Sequence, residues 1–515
     1  MTKHYYLSAI AALLIMGAPA FADEKTDKDV EAPLLAGDSL ALKAEAQNDE
    51  PAVVETVADA FKNGKVKGLL RYGAQHRDSK YHVLQDDPHN PHPDGDVKAY
   101  SALGGYLGYE TAPLHHFSIG ATFYTSNPFL GSNSDERKGL GGLYEDDGGQ
   151  DSYHVLGEAF LKFQNDAHRV VIGRQEMPDY RFVSLSNIRM TPFTHEGATY
   201  ENTSIEGLKV NAAYISGQKD RNGIDFDDMV RSARVSIGEV KHSDGSTLKT
   251  KIRGSYDPSN FDASGKYDGD DKEMPMIGAI YTQDNWKVEA WDYHVNDFVN
   301  TVYLYGQYDL KPSDDWKVTL AGQYSNQQDV GEGVAGNVDT GFYGVKAQAS
   351  TSNGMVFFLA YNEVSYNEDS YDGGTIFVRW GTPQMFNSFQ VQDSELAGTR
   401  SIGAGAQFDL GALDILKSTV IRFRYADYNM PDDVDMIDAR QDRTEATFDL
   451  RYSFTKDSGF GIFTQMDGLS IQFRIAYDQF RNDYNYQAYT DHHGFTIDKV
   501  DDDFVDARIY IDYVF

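Results

Sequence analysis

The chain has 515 residues, no cysteine and a formal net charge of -33. Without thiols it can form neither a disulfide framework nor a thiolate metal site, and so acidic a surface repels nucleic acid instead of attracting its phosphates. The 34 Tyr, 29 Phe and 47 Gly suit a protein with aromatic girdles and many strand turns.

At the front, Lys3 and His4 precede an apolar run from Tyr5 to Met16, and small residues then lead to Ala20-Phe21-Ala22 before Asp23. This is the pattern of a secretory signal over residues 1–22, with cleavage expected after Ala22. The run is shorter than the ~20 residues a spanning helix needs. Residues 23–63 are expected to form a polar leader with a short amphipathic helix. Val53, Val54, Val57 and Phe61 share one helical face, and Asn63-Gly64 stops it. Such a helix is expected to pack inside or beneath the domain that follows.

Beyond the signal no stretch is long and apolar, and the mean hydropathy of the chain is -0.52. That excludes spanning helices. It leaves a barrel open, because a spanning strand needs only ~9–11 residues with alternate ones facing lipid. From residue 64 to 515, segments of that length alternate with period two, as in Phe117-Ser118-Ile119-Gly120-Ala121-Thr122-Phe123-Tyr124. The same pattern marks Leu156 to Phe163, Leu208 to Ile215, Val302 to Tyr308, Val318 to Tyr324, Phe342 to Ala349, Val356 to Tyr361, Ile402 to Phe408, Val420 to Tyr425, Ala446 to Phe454 and Leu469 to Tyr477. With the region 230–256 read as loop, the fold class is an all-β transmembrane antiparallel barrel of about eighteen strands.

The connections carry a further signal. Odd ones, near 76–96, 127–151, 177–195, 219–274, 295–298, 328–337, 367–397, 429–442 and 482–503, are mostly long and acidic. Even ones, near 111–114, 165–167, 205–207, 311–315 and 351–353, are short. Long extracellular loops opposite tight periplasmic turns are the asymmetry of an outer-membrane barrel. At the end of the chain Ile509, Ile511, Tyr513 and Phe515 lie on one face, and a last strand ending in an aromatic residue resembles the assembly signal of bacterial outer-membrane proteins. Closure requires it to pair with the first strand, so residues 64–515 form one domain.

If the apolar face of the last four strands meets lipid, Arg422, Arg424, Arg451, Arg474 and Arg508 point inward. Guanidiniums bind carboxylates bidentately and keep their charge, so such a ladder could hand an anionic group along a narrow pore. Asp449, Asp478 and Asp512 also point inward and could pair with the arginines as plain packing.

Nearer the front come the strand Gly157-Glu158-Ala159-Phe160-Leu161-Lys162-Phe163, then Val170-Val171-Ile172-Gly173-Arg174-Gln175, then a loop carrying Asn187-Ile188-Arg189-Met190-Thr191-Pro192-Phe193. On these elements the sequence resembles the OprD family of outer-membrane porins, from about residue 60 to 515 and most strongly over 150–220. The resemblance implies a monomer-sized barrel of eighteen strands whose third loop narrows the pore and whose basic ladder guides carboxylate-bearing solutes. It puts Arg174 and Arg189 at or near the constriction and makes the arginines of the last strands the ladder. Alternation by itself gives Arg174 the parity of Val170 and Ile172, so its inward placement rests on the resemblance. The acidic excess and the long 219–274 insertion lie outside it.

Histidines at 76, 82, 89 and 92 follow no rigid ligand spacing and are interrupted by prolines, which favours a solvated loop over a metal site. The clusters Asp268-Gly269-Asp270-Asp271 and Asp501-Asp502-Asp503 do not follow a calcium-loop order. No Gly-x-Ser-x-Gly element or phosphate loop occurs, so no enzyme is expected, nor any catalytic residue, metal or cofactor. The expectation is a porin for passive, partly selective diffusion of small solutes across the outer membrane of a Gram-negative bacterium. Its other partners would be outer-membrane lipid, lipopolysaccharide and the barrel-assembly machinery, with monomer and trimer both open. The competing reading is a surface adhesin or receptor whose acidic loops bind a partner.

Overall fold

Period-two alternation needs a wall with different solvents on its two sides, and the chain builds one. The computed structural model describes residues 52–81, 96–131, 133–146, 149–177, 180–238, 240–241, 247–381, 385–392, 394–431, 442–455, 467–481, 489–490, 496–497 and 502–515. The expected signal, most of the leader and His82, His89, His92 and Asp501 lie outside these residues. The wall is an 18-stranded antiparallel sheet. Its strands are β1 (Lys65–Tyr81), β2 (Asp96–Glu110), β3 (Phe117–Pro128), β4 (Tyr153–Gln164), β5 (His168–Gln175), β6 (Thr194–Ile205), β7 (Leu208–Lys219), β8 (Met274–Gln283) and β9 (Trp286–Val295). There follow β10 (Val299–Ser313), β11 (Trp316–Asp329), β12 (Asp339–Thr351), β13 (Met355–Val364), β14 (Arg400–Asp409), β15 (Thr419–Asn429), β16 (Arg443–Ser453), β17 (Leu469–Phe480) and β18 (Asp502–Val514).

Each strand pairs with its neighbours in sequence, and β1 pairs with both β2 and β18, Leu69 lying opposite Val514. The sheet is therefore closed, which removes the edges that hydrocarbon could not satisfy. On β15, Arg422, Arg424, Ala426 and Tyr428 are buried, whereas Phe423 and Tyr425 are 47% and 50% exposed. The same inversion recurs around the wall, with Leu107, Ile119, Leu320, Leu359 and Ile402 outside and Gln323, Gln327, Asn362, Ser401 and Thr447 inside. In water such an apolar exterior would be penalised by roughly 25 cal/mol per Å². A bilayer removes that penalty.

Odd connections gather at one end and even ones at the other. The odd loop between β7 and β8 is itself folded. It holds helix α2 (Met229–Ser232), a ribbon pairing Val240–Lys241 with Thr247–Lys249, and a single 3₁₀ turn at Pro258–Asn260. Within it Arg231 donates to Asp228 at 2.5 Å and to Asp271 at 2.6 Å, so the acidic run at 268–271 has an arginine for a partner. His76 lies in β1 and is exposed, with the parity of outward-facing Leu70 and not in a loop.

The leader helix is shorter than its pattern suggests. Helix α1 spans Val57–Lys62, capped by Thr56, whose hydroxyl accepts from the Asp59 amide at 3.1 Å. Val54 does not join the helix but bridges Leu114 in the β2–β3 turn. The segment lies against that turn, not inside the barrel. Phe61 stacks on Tyr109, whose parity is that of outward-facing Leu107.

Candidate functional site

The odd loops 176–193 and 365–399 enter the lumen and define much of what is left of it. Residues 176–193, between β5 and β6, carry Tyr180, Phe182, Val183, Met190 and Phe193, all buried. Apolar residues in a loop need a place out of water, and here they find it on the far wall. Phe182 packs on Tyr293, Tyr303 and Phe342, and the Tyr293 hydroxyl donates to the Tyr180 carbonyl. Arg181 donates through Nε to Glu289 Oε2 at 2.8 Å. The returning half is held on the opposite side. Arg71 takes Asp512 bidentately, Nε to Oδ1 and Nη2 to Oδ2 at 2.7 Å each, while its Nη1 donates to Asn187 Oδ1 at 2.9 Å and to the Arg189 carbonyl.

The second inward loop, 365–399, is fixed by lumen-facing carboxylates. Glu445 accepts from the amides of Gln390, Val391 and Gln392 at 2.9, 3.1 and 3.0 Å. Gln390 also reaches Asp506 on β18 at 3.0 Å.

Between these loops and the start of the β7–β8 loop lies a cavity of about 180 Å³, lined by Arg77, Arg189, Arg221, Arg234, Arg379 and Arg508, with Asp220 its one carboxylate among the lining residues. Arg234 pairs with Asp220 at 3.0 Å, and Arg77 and Arg508 share Asp506 at 2.9 and 2.7 Å. Arg189 donates to the carbonyls of Leu140 and Ile188 at 2.6 and 3.0 Å. Burial, and then the neighbouring Arg508 guanidinium, push the Arg189 pKa below its ordinary value. An anion entering the cavity would relieve that crowding.

The basic residues continue along the wall. Register places Arg422, Asp449, Arg474 and Arg508 directly opposite one another on β15 to β18. All four are buried, and Asp449 Oδ2 accepts from Arg422 at 3.0 Å and from Arg474 at 2.9 Å. Arg424 donates to Thr447 at 3.2 Å and lies 4.6 Å from the Phe389 ring. Arg451 shares the inward parity of Asp449 and is partly buried. Lys346 on β12 comes within electrostatic range of Arg422 and Arg424. It is 3% exposed, makes no hydrogen bond among the described residues, and sits against the rings of Phe358 and Phe386 at 4.9 and 5.8 Å.

Of the seven basic residues singled out from sequence, the structure brings Arg189 and Arg508 to the cavity and puts Arg422, Arg424, Arg451 and Arg474 on the adjoining inner wall. Arg174 is elsewhere. It lies opposite in parity to buried Val171 and Gln175, on the face of Ile172, which is 54% exposed. There it donates to Glu196 at 2.9 Å under the ring of Phe226. Pairing of β5 is in continuous register up to this position with β4 and through it with β6, so no bulge turns Arg174 inward. Conversely, Arg71, Arg77, Arg221, Arg234, Arg379 and Lys346 belong to the lumen or its cavity and were not singled out. For Lys346 the outward run Tyr343, Val345 was the available signal. For the loop arginines there was none.

The three inward aspartates take different partners. Asp449 joins the ladder arginines, Asp512 seats Arg71, and Asp478 accepts from Gln392 at 2.9 Å.

A closed barrel, apolar outside and polar within, with long loops at one end, several of them folded into a lumen rich in arginine, is an outer-membrane pore. A family profile described as outer membrane porin, OprD family, matches residues 116–492, and the chain belongs to that family. Among solved structures it is similar to OccK9 (OpdG) of Pseudomonas aeruginosa, with 17% identity and a TM-score of 0.64 over 88% of this chain and 100% of the other. OccAB3 of Acinetobacter baumannii gives 17% and 0.65 over 88% and 99%, and OpdK of Pseudomonas aeruginosa with vanillate gives 17% and 0.62 over the same shares. A search of the curated proteins gives no match.

Proposed function

We propose that this porin passes small carboxylate-bearing solutes by diffusion, drawn through the arginine-lined cavity and along the inward basic residues of β12 and β15 to β18. The observation that carries the reading is the cavity itself, whose lining holds six arginines and one carboxylate, with Asp506 taken up by Arg77 and Arg508, in a chain whose net charge is -33. Basic residues concentrated in the lumen of an acidic protein point to an anionic cargo. At an effective dielectric near 20, a carboxylate about 4 Å from one guanidinium gains about 4 kcal/mol, several times its value in water. The OpdK structure was obtained with vanillate, which carries a carboxylate. The final aromatic strand is read as the signal for the barrel-assembly machinery.

The test is flux through proteoliposomes carrying the double variant Arg422→Gln, Arg424→Gln. Each lost charge-assisted hydrogen bond removes about 1.5–3 kcal/mol from a passing carboxylate. Carboxylates should therefore slow roughly tenfold or more against neutral solutes of equal size. An unchanged ratio with an intact barrel would reduce both residues to packing partners of Asp449 and Thr447. Wild-type vesicles impermeable to every small solute would instead favour the adhesin reading, for which the folded 220–273 loop is the available surface.

A further inference from the structure

We propose that residues 52–63 are an interfacial anchor, which lays Val53, Val57 and Phe61 among the acyl chains of the periplasmic leaflet of the outer membrane. The inference is independent of what the pore carries. These three side chains recur every fourth residue and are 49%, 61% and 55% exposed. Val57 and Phe61, one turn apart in α1, share one side of it, with Ala60 next to them buried against the barrel and Asp59 and Lys62 on the other, while Val53 precedes the helix beside the bridge of Val54 to Leu114.

The segment is held in place by backbone as well as by rings. The Val54 amide donates to the Pro113 carbonyl and the Ala112 amide to the Ala60 carbonyl, both at 2.9 Å. The Tyr109 hydroxyl donates to the Phe61 carbonyl, and the Phe61 ring stacks on Tyr109 with an interplanar angle of 11°. Tyr109 is opposite Val66 in the β1–β2 register, and Val66 and Leu107 are 58% and 57% exposed on the outer wall. Phe117 and Phe515 are exposed at the same end of the barrel. The apolar face of the anchor is thus continuous with the lipid-facing band.

That continuity selects acyl chains as the occupant. Lys62, on the polar side of the helix, and Lys65 just beyond it are exposed, as suits the headgroup level of a phospholipid layer. Their charge would be unfavourable at the dry centre of a protein interface.

Because the chain has no cysteine, single-cysteine variants can carry one nitroxide each. V57C, F61C, D59C and L107C would be labelled in the full-length protein and reconstituted in phospholipid vesicles, with gel mobility before and after boiling confirming the barrel. Labels at 57 and 61 should match the lipid-facing label at 107, several-fold more accessible to oxygen than to a water-soluble nickel chelate, and the label at 59 should show the reverse. Labels at 57 and 61 that follow 59 would overturn the proposal, leaving the segment free in the periplasm. Labels shielded from both reagents, with spin broadening that vanishes on dilution with unlabelled protein, would also overturn it and assign the face to a second copy of the chain.

Discussion

A buried ammonium without a hydrogen-bond acceptor is destabilising by several kcal/mol relative to water, so Lys346 makes a sharp test of what the lumen is for. Lys346→Met should leave the thermal midpoint unchanged or raise it, while slowing carboxylates relative to neutral solutes in vesicle flux. A lowered midpoint with an unchanged flux ratio would make the lysine structural. Its inward direction was legible, since Tyr343 and Val345 mark the outer face of β12. Its meeting with Arg422 and Arg424 was not, because two strands intervene and only the curvature of the closed wall brings the three together. Arg71 was harder still. Leu69 and Leu70 face opposite sides of β1, so apolar residues mark both faces and alternation gives no direction. Arg174 shows the opposite failure, a residue carried inward by resemblance where the pleat had already placed it outside.

Strands were the most readable elements, since two solvents impose period two on every one of them. Loops were the least. Arg181 and Glu289 are 108 positions apart, and nothing local in either segment announces the other. Their pair is nevertheless one of the contacts that hold the third loop across the pore. Removing one member of a buried pair generally costs about 3–5 kcal/mol, so Arg181→Ala should loosen the loop. Single-channel recordings should then show higher and noisier conductance, and a quiet wild-type trace would mean that the aromatic contacts of Phe182 suffice. The leader helix was misjudged at its front because its apolar spacing extends to Val53, whereas Thr56 caps the first turn and the β2–β3 turn engages Val54.

At the scale of the whole molecule, the alternation of long and short connections gave the topology without any contact being known. It did not reveal which long loops turn inward. The structure separates them. Residues 254–266 are largely exposed, whereas most of 365–399 is buried in the lumen. Protease added to intact cells should therefore cut within 254–266 and spare both 365–399 and the turn at 352–354. A cut at 352–354 would invert the orientation, and rapid cutting within 365–399 would place that loop outside the lumen.

The separation of acidic loops from a basic lumen also governs how the pore answers to salt. Exposed carboxylates such as Asp268 and Asp271, 71% and 79% exposed at the side chain, act on an approaching anion through open water, where the Debye length shrinks from about 30 Å at 0.01 M to about 8 Å at 0.15 M. Guanidiniums enclosed in the lumen are screened far less. Added salt should thus first lower the repulsion at the mouth and only later weaken the attraction within. Carboxylate flux would rise to a maximum at intermediate ionic strength before it falls, whereas a basic mouth would give a decline from the outset.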